Sequence, residues 1–103
     1  MSRKSAVGVF LAIIMVSGSA FAGNPVEGRK VWKSNSCPSC HGINGNPVVP
    51  GVPSFARGDR MIKPDAKLVE TLISGSKIMP AWKGILSREQ MFDVIAYIRT
   101  LRK

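Results

Sequence analysis

At 103 residues the chain suits one domain and is too short for two. Fifteen Lys and Arg stand against six Asp and Glu, a formal net charge of +9. Such a surplus can mark a nucleic-acid binder, but the basic residues are spread along the chain with no aromatic residues interleaved, so an acidic protein partner or a membrane surface is the better match.

The chain opens with Ser2-Arg3-Lys4, an apolar run from Ala6 to Val16, and the small-residue tail Ser17-Gly18-Ser19-Ala20-Phe21-Ala22. This is the layout of a secretory signal peptide with cleavage after Ala22, and the run falls short of the roughly 20 apolar residues that span a bilayer. Residues 1–22 are therefore expected to be removed, placing residues 23–103 in the periplasm as an 81-residue domain with no stable membrane insertion. Losing Arg3 and Lys4 leaves 13 basic against 6 acidic residues, a surplus of seven. A domain this small buries a thin core and commonly relies on a disulfide, a metal or another staple. Cys37, Cys40 and His41 are the only cysteines and the only histidine in the sequence.

In chain order, Asn24-Pro25 followed by Val26 to Lys33 predicts a short helix with a cap and a first-turn proline, its apolar side formed by Val31 and Trp32. Ser34 to Pro53 carries the cysteines and then a stretch rich in Gly, Asn and Pro with no helical or strand period, read as a loop. Lys63-Pro64-Asp65 opens a second helix with Leu68, Val69, Leu72 and Ile73 on one side, ended by Gly75. Ser76 to Leu86, with Met79-Pro80-Ala81-Trp82, is again irregular. Ser87-Arg88-Glu89-Gln90 is a capping box, and Met91, Val94, Ile95, Ile98 and Leu101 form one apolar stripe of a helix expected to run almost to Lys103. Glu89 and Asp93 early in it, and Arg99, Arg102 and Lys103 late, read as a solvated face that complements the helix dipole.

Cys37-Pro38-Ser39-Cys40-His41 is the attachment pentapeptide for haem c: two thiols add across the porphyrin vinyl groups and the next residue is thereby held over the iron. Rival readings fare worse. A structural zinc site takes four Cys and His ligands, and three exist. A thioredoxin-like pair expects a neighbouring strand-helix-strand pattern that is missing, and a plain disulfide leaves the histidine unexplained. For the opposite face of the iron a methionine thioether is the usual soft partner in electron transfer. Met91 belongs to the apolar stripe, and Met61 sits between charged residues in an unclassified segment. Met79, in an aperiodic loop stiffened by Pro80, is the leading candidate, with Met61 and an open iron as alternatives.

These residues resemble the class I c-type cytochromes over essentially the whole of residues 23–103. Gly28 and Trp32 match the family's glycine and aromatic pair on the first helix, Cys37 to His41 its haem site, and Val94-Ile95-Ala96-Tyr97 its last-helix segment. The resemblance implies an all-α cytochrome c fold, three to four short helices wrapped around one covalently bound haem, with the first and last helices crossing so that Gly28 and Trp32 meet Val94 and Tyr97. It also implies that the carbonyl of Pro53, or failing that Pro50, accepts the ring N–H of His41. Phe55, Leu68, Leu72, Ile78 and Trp82 are expected around the haem or in the core, and Trp82 with Arg57 or Arg60 near a propionate.

The function implied is that of a monomeric one-electron carrier in a respiratory chain, not an enzyme. Its low-spin, fairly high-potential iron would be bound by His41 and Met79, and Lys33, Lys77 and Lys83 would form a rim for an acidic redox partner. Two alternatives accompany it. A detached Met79 would open the iron to peroxidase-like chemistry, but no second histidine is present to assist. The stretch Leu68 to Ser87 also resembles small cytochromes associated with nitrite reductase, which implies an accessory or assembly factor of a periplasmic reductase.

Overall fold

The computed structural model describes residues 23–103, which form four α-helices and no strand. The expected signal peptide, residues 1–22, lies outside them. Helix α1 spans Pro25–Ser34. It starts where expected because Oδ1 of Asn24 accepts from the amides of Val26 and Glu27 at 2.9 and 3.2 Å, and Pro25 takes a position where no amide is needed.

Helix α2, Pro38–His41, is a single turn inside the stretch expected to be loop. Four residues carry no periodic signature. The turn is nucleated by Pro38 and closed when the amides of Cys40 and His41 donate to the Cys37 carbonyl at 3.3 and 3.0 Å. Helix α3, Asp65–Ser74, begins after Pro64 and stops at Gly75, whose φ of 75° is the left-handed conformation that glycine adopts freely.

Helix α4, Arg88–Arg99, carries the expected capping box: the Gln90 amide donates to Ser87 Oγ at 3.1 Å, and the Ser87 amide to Gln90 Oε1 at 2.8 Å. It ends earlier than the sequence predicts. The amides of Thr100 and Leu101 turn to the carbonyls three residues back, at 2.9 and 3.0 Å, and the Lys103 amide donates to the Ala56 carbonyl at 2.9 Å. The last residues are thus drawn onto the 54–56 segment, and Leu101 is still buried.

The core lies where α1 crosses α4. Gly28 makes the close approach possible, since a β-carbon there would collide with the Asp93 carbonyl and stand 2.9 Å from Cβ of Tyr97. Trp32 meets Tyr97 edge to face at a centroid distance of 5.8 Å and shares the core with Val94, as the resemblance implies. Val69 from α3 joins from the side, fully buried.

Two residues expected on a solvated face are instead tied into the structure. Asp93 is buried, and its Oδ1 accepts from the Asn24 amide at 2.8 Å, fastening the start of α1 to α4. Arg99 reaches across to the segment before α3: it donates to Asp65 Oδ1 from Nε and Nη2 at 2.9 and 2.6 Å, to the Met61 carbonyl at 2.9 Å and to the Lys63 carbonyl at 2.9 Å. Helical wheel position alone cannot separate a solvated charge from one that meets a distant segment. Among the described residues no helix is long and apolar enough to cross a membrane.

Candidate functional site

Cys37, Cys40 and His41 are presented by one helical turn backed by the α1–α4 core. Gly42 ends that turn at φ 79° with its amide on the Pro38 carbonyl at 2.9 Å. The chain then folds back so that the Val48 amide donates to the Cys40 carbonyl at 2.9 Å. Both cysteines are half-buried and their thiols are not joined. Burial, with a smaller contribution from neighbouring Cys40, pushes the Cys37 thiol up to about 11. Among the described residues no three His, Cys, Asp or Glu side chains converge as a metal cage.

The His41 ring stacks on Phe55 at 4.7 Å and 17° and lies 5.8 Å from Trp32, so two aromatic rings set its plane. Burial lowers its pKa below the ordinary histidine value, and the backbone carbonyl of Pro53 opposes this by favouring the protonated form. Nδ1 itself is buried and has no hydrogen-bond partner among the described residues. Pro50, the fallback, is exposed.

The three methionines of residues 23–103 fall in different environments. Met91 is 3% exposed in the core beneath α4. Met61, in the segment that carries no sequence period, has its sulfur 4.0 Å from Nη1 of Arg99 and its carbonyl bonded to the same guanidinium. Met79 is half-buried in a tight turn: its amide donates to the Ser76 carbonyl at 2.8 Å, and the Ser76 amide to its carbonyl at 3.0 Å. Lys77 holds φ at 52° to make that turn. The loop is strapped to α3 by the Trp82 amide on the Leu72 carbonyl at 2.7 Å.

Gly75 is the site-building residue that sequence reasoning missed. A β-carbon there would stand 2.7 Å from the Met79 carbonyl oxygen and 2.8 Å from the Ala81 amide nitrogen. Its sequence signal marked a helix end, and nothing local announced that the methionine strap returns over it.

A family model described as cytochrome c oxidase, cbb3-type, subunit III, matches residues 23–98. Cytochrome c6 of Nostoc sp. (strain PCC 7120 / SAG 25.82 / UTEX 2576) is 32% identical over 96 residues, covering 89% of this chain and 84% of that protein. This chain belongs to the class I c-type cytochromes.

A class I cytochrome is an electron carrier built on covalently bound haem c, and the residues here fit that group. Two unpaired thiols and an imidazole share one turn, and the imidazole has an orphaned Nδ1 beside a proline carbonyl. Leu68, Leu72 and Trp82 pack at the edge of the core, as expected, and Phe55 is buried against His41. Ile78, in the turn before Met79, is 70% exposed to whatever lies beside that turn.

Of the residues expected near a propionate, Arg57 donates to Asp59 Oδ2 at 3.0 Å. Arg60 is exposed with φ at 70°. Both line an open depression of about 500 Å³ together with Gly51, Val52, Pro53 and Asp59. The Ser54 amide, at 2.8 Å, and Arg57 hold the Asp59 carboxyl below the usual range. Lys33, Lys77 and Lys83 are all exposed.

Proposed function

We propose that this class I cytochrome is an exported, periplasmic one-electron carrier of a respiratory chain, whose haem c is bonded to Cys37 and Cys40 and ligated by His41 and Met79. The observation that carries the ligand assignment is the sorting of the methionines. Met91 is in the core and Met61 has its sulfur against Arg99, whereas Met79 sits in a strapped turn beside the end of α3. The matched family's description as an oxidase subunit supports the respiratory setting. The spacing of residues 1–22 supports removal of a signal peptide after Ala22, leaving residues 23–103 as the cytochrome domain.

When bound, the haem supplies a low-spin one-electron couple, and thioether ligation in apolar surroundings favours its less charged, reduced form. The chain's own part is positional. Phe55 and Trp32 fix the plane of the His41 ring, and the Pro53 carbonyl near the unpartnered Nδ1 would accept from it in the haem-loaded protein, which sets the tautomer and makes the imidazole a better donor. With the iron held by both His41 and Met79, no position would be left for a substrate, so the protein would carry electrons and not act as an enzyme. The basic surplus, with Lys33, Lys77 and Lys83 exposed, suits weak, salt-sensitive docking of the monomer to an acidic face of a redox partner.

The test is the absorption spectrum of the oxidised protein. A weak far-red band of methionine-sulfur ligation is expected in the parent and in Met61→Ala and is expected to vanish in Met79→Ala. An unchanged spectrum for Met79→Ala would reject the assignment.

A further inference from the structure

Asp93 is a buried carboxylate in the middle of α4, 8% exposed, that the haem site does not use. Its partner among the described residues is the Asn24 amide, 2.8 Å from Oδ1. One amide is thin compensation for an ionised carboxylate taken out of water. The residue before that amide is Gly23, and it is packed onto the same place. A β-carbon on Gly23 would run into the Phe92 carbonyl and stand 2.9 Å from the Asp93 amide nitrogen. Backbone nitrogens of consecutive residues lie roughly 3 Å apart. The Gly23 nitrogen therefore lies no more than roughly 6 Å from Asp93 Oδ1.

We propose that removal of residues 1–22 completes the α1–α4 crossing by giving Asp93 a counter-charge, the α-ammonium of Gly23. The inference rests on the reading that cleavage follows Ala22. Hydrolysis of the Ala22–Gly23 peptide bond consumes one water, leaves a carboxylate on Ala22 and frees the Gly23 nitrogen as an amine, which is protonated at neutral pH. A neutral amide becomes a cation beside a buried anion. Packing also selects the residue at the new terminus, because any side chain on Gly23 would strike the backbone of α4. The crossing is thus at full strength only in the processed chain.

The test compares four forms of the exported, haem-loaded protein in guanidinium unfolding followed by helical circular dichroism. Two begin at Gly23 and two at Ala22, the latter made with a foreign leader cleaved one residue earlier. Each start is paired with Asp93 or with Asp93→Asn. With Asp93 present, the Ala22 start is expected to raise the unfolding constant about tenfold, and with Asp93→Asn the two starts are expected to unfold alike. Equal stability of the two starts with Asp93 present would overturn the pair. Should Asp93→Asn fail to accumulate, the Gly23 chain acetylated enzymatically at its α-amino group replaces it. Acetylation must then cost as much as the extra residue, and no cost would overturn the pair. The mass of the natural export product separates the two readings. A chain beginning elsewhere refutes the cleavage site and the proposal with it, whereas a Gly23 start without the stability difference refutes the ion pair alone.

Discussion

The α1–α4 crossing and the loop that carries Met79 are held by different physics. In the crossing, backbone approaches backbone at Gly28, Trp32 is 2% exposed, and Asp93 ties the two helix segments together. In the Met79 loop the stabilising contacts are a few backbone hydrogen bonds, Lys77 and Gly75 take positive φ, and Ile78 and Ile85 are 70% and 60% exposed. The crossing is a packed core, and the loop is a strap with little apolar burial of its own. Regions of the second kind open at lower free energy than regions of the first. The two proposed ligands therefore sit in unlike surroundings, His41 against the packed crossing and Met79 on the looser strap.

Gly28→Ala should break the crossing and is the largest expected effect. Local preference favours alanine in a helix by about 1 kcal/mol, yet the added carbon collides with the Asp93 carbonyl. Overpacking backbone against backbone should cost about 3 kcal/mol net, read as a lower denaturation midpoint and a poor yield of holoprotein. A rise in stability would mean that the helices can part at little cost.

Arg99→Ala acts on the join between α4 and the segment before α3. It removes charge-assisted bonds to Asp65 and to the Met61 and Lys63 carbonyls, in a site about one-third exposed. A loss of about 2 kcal/mol is expected, and it should be insensitive to added salt compared with the exposed Lys30–Glu27 pair. The smallest effect on the fold, and the most selective, should come from Gly75→Ala. The new β-carbon would displace Met79 and Ala81 and strain a left-handed position, at about 1 kcal/mol. Helical circular dichroism should be retained while the methionine-ligation band weakens. A variant that keeps the band would show that the strap does not depend on that close approach.

The arrangement of elements was legible because its signals are local. Asn24-Pro25, Lys63-Pro64-Asp65 and the Ser87 to Gln90 box set helix starts through caps and proline, and the stripe from Met91 to Leu101 marked the buried side of α4. The Cys37 to His41 pentapeptide was equally plain, since the chemistry itself demands those residues at that spacing. The end of α4 was misjudged because the bond that turns the chain away, Lys103 to Ala56, joins residues far apart in sequence.

By itself the sequence determined the three longer helices, the attachment pentapeptide and the short field of methionines, because capping, periodicity and motif spacing act between residues a few positions apart. Tertiary structure alone decided that Asp93 is buried and Arg99 bonds a distant segment, that the Met61 sulfur lies 4.0 Å from that guanidinium, and that Gly75 lies under the strap that carries Met79. Those outcomes depend on which distant segment arrives beside each side chain, and a buried charge or a crowded glycine has no local signature that differs from an exposed one.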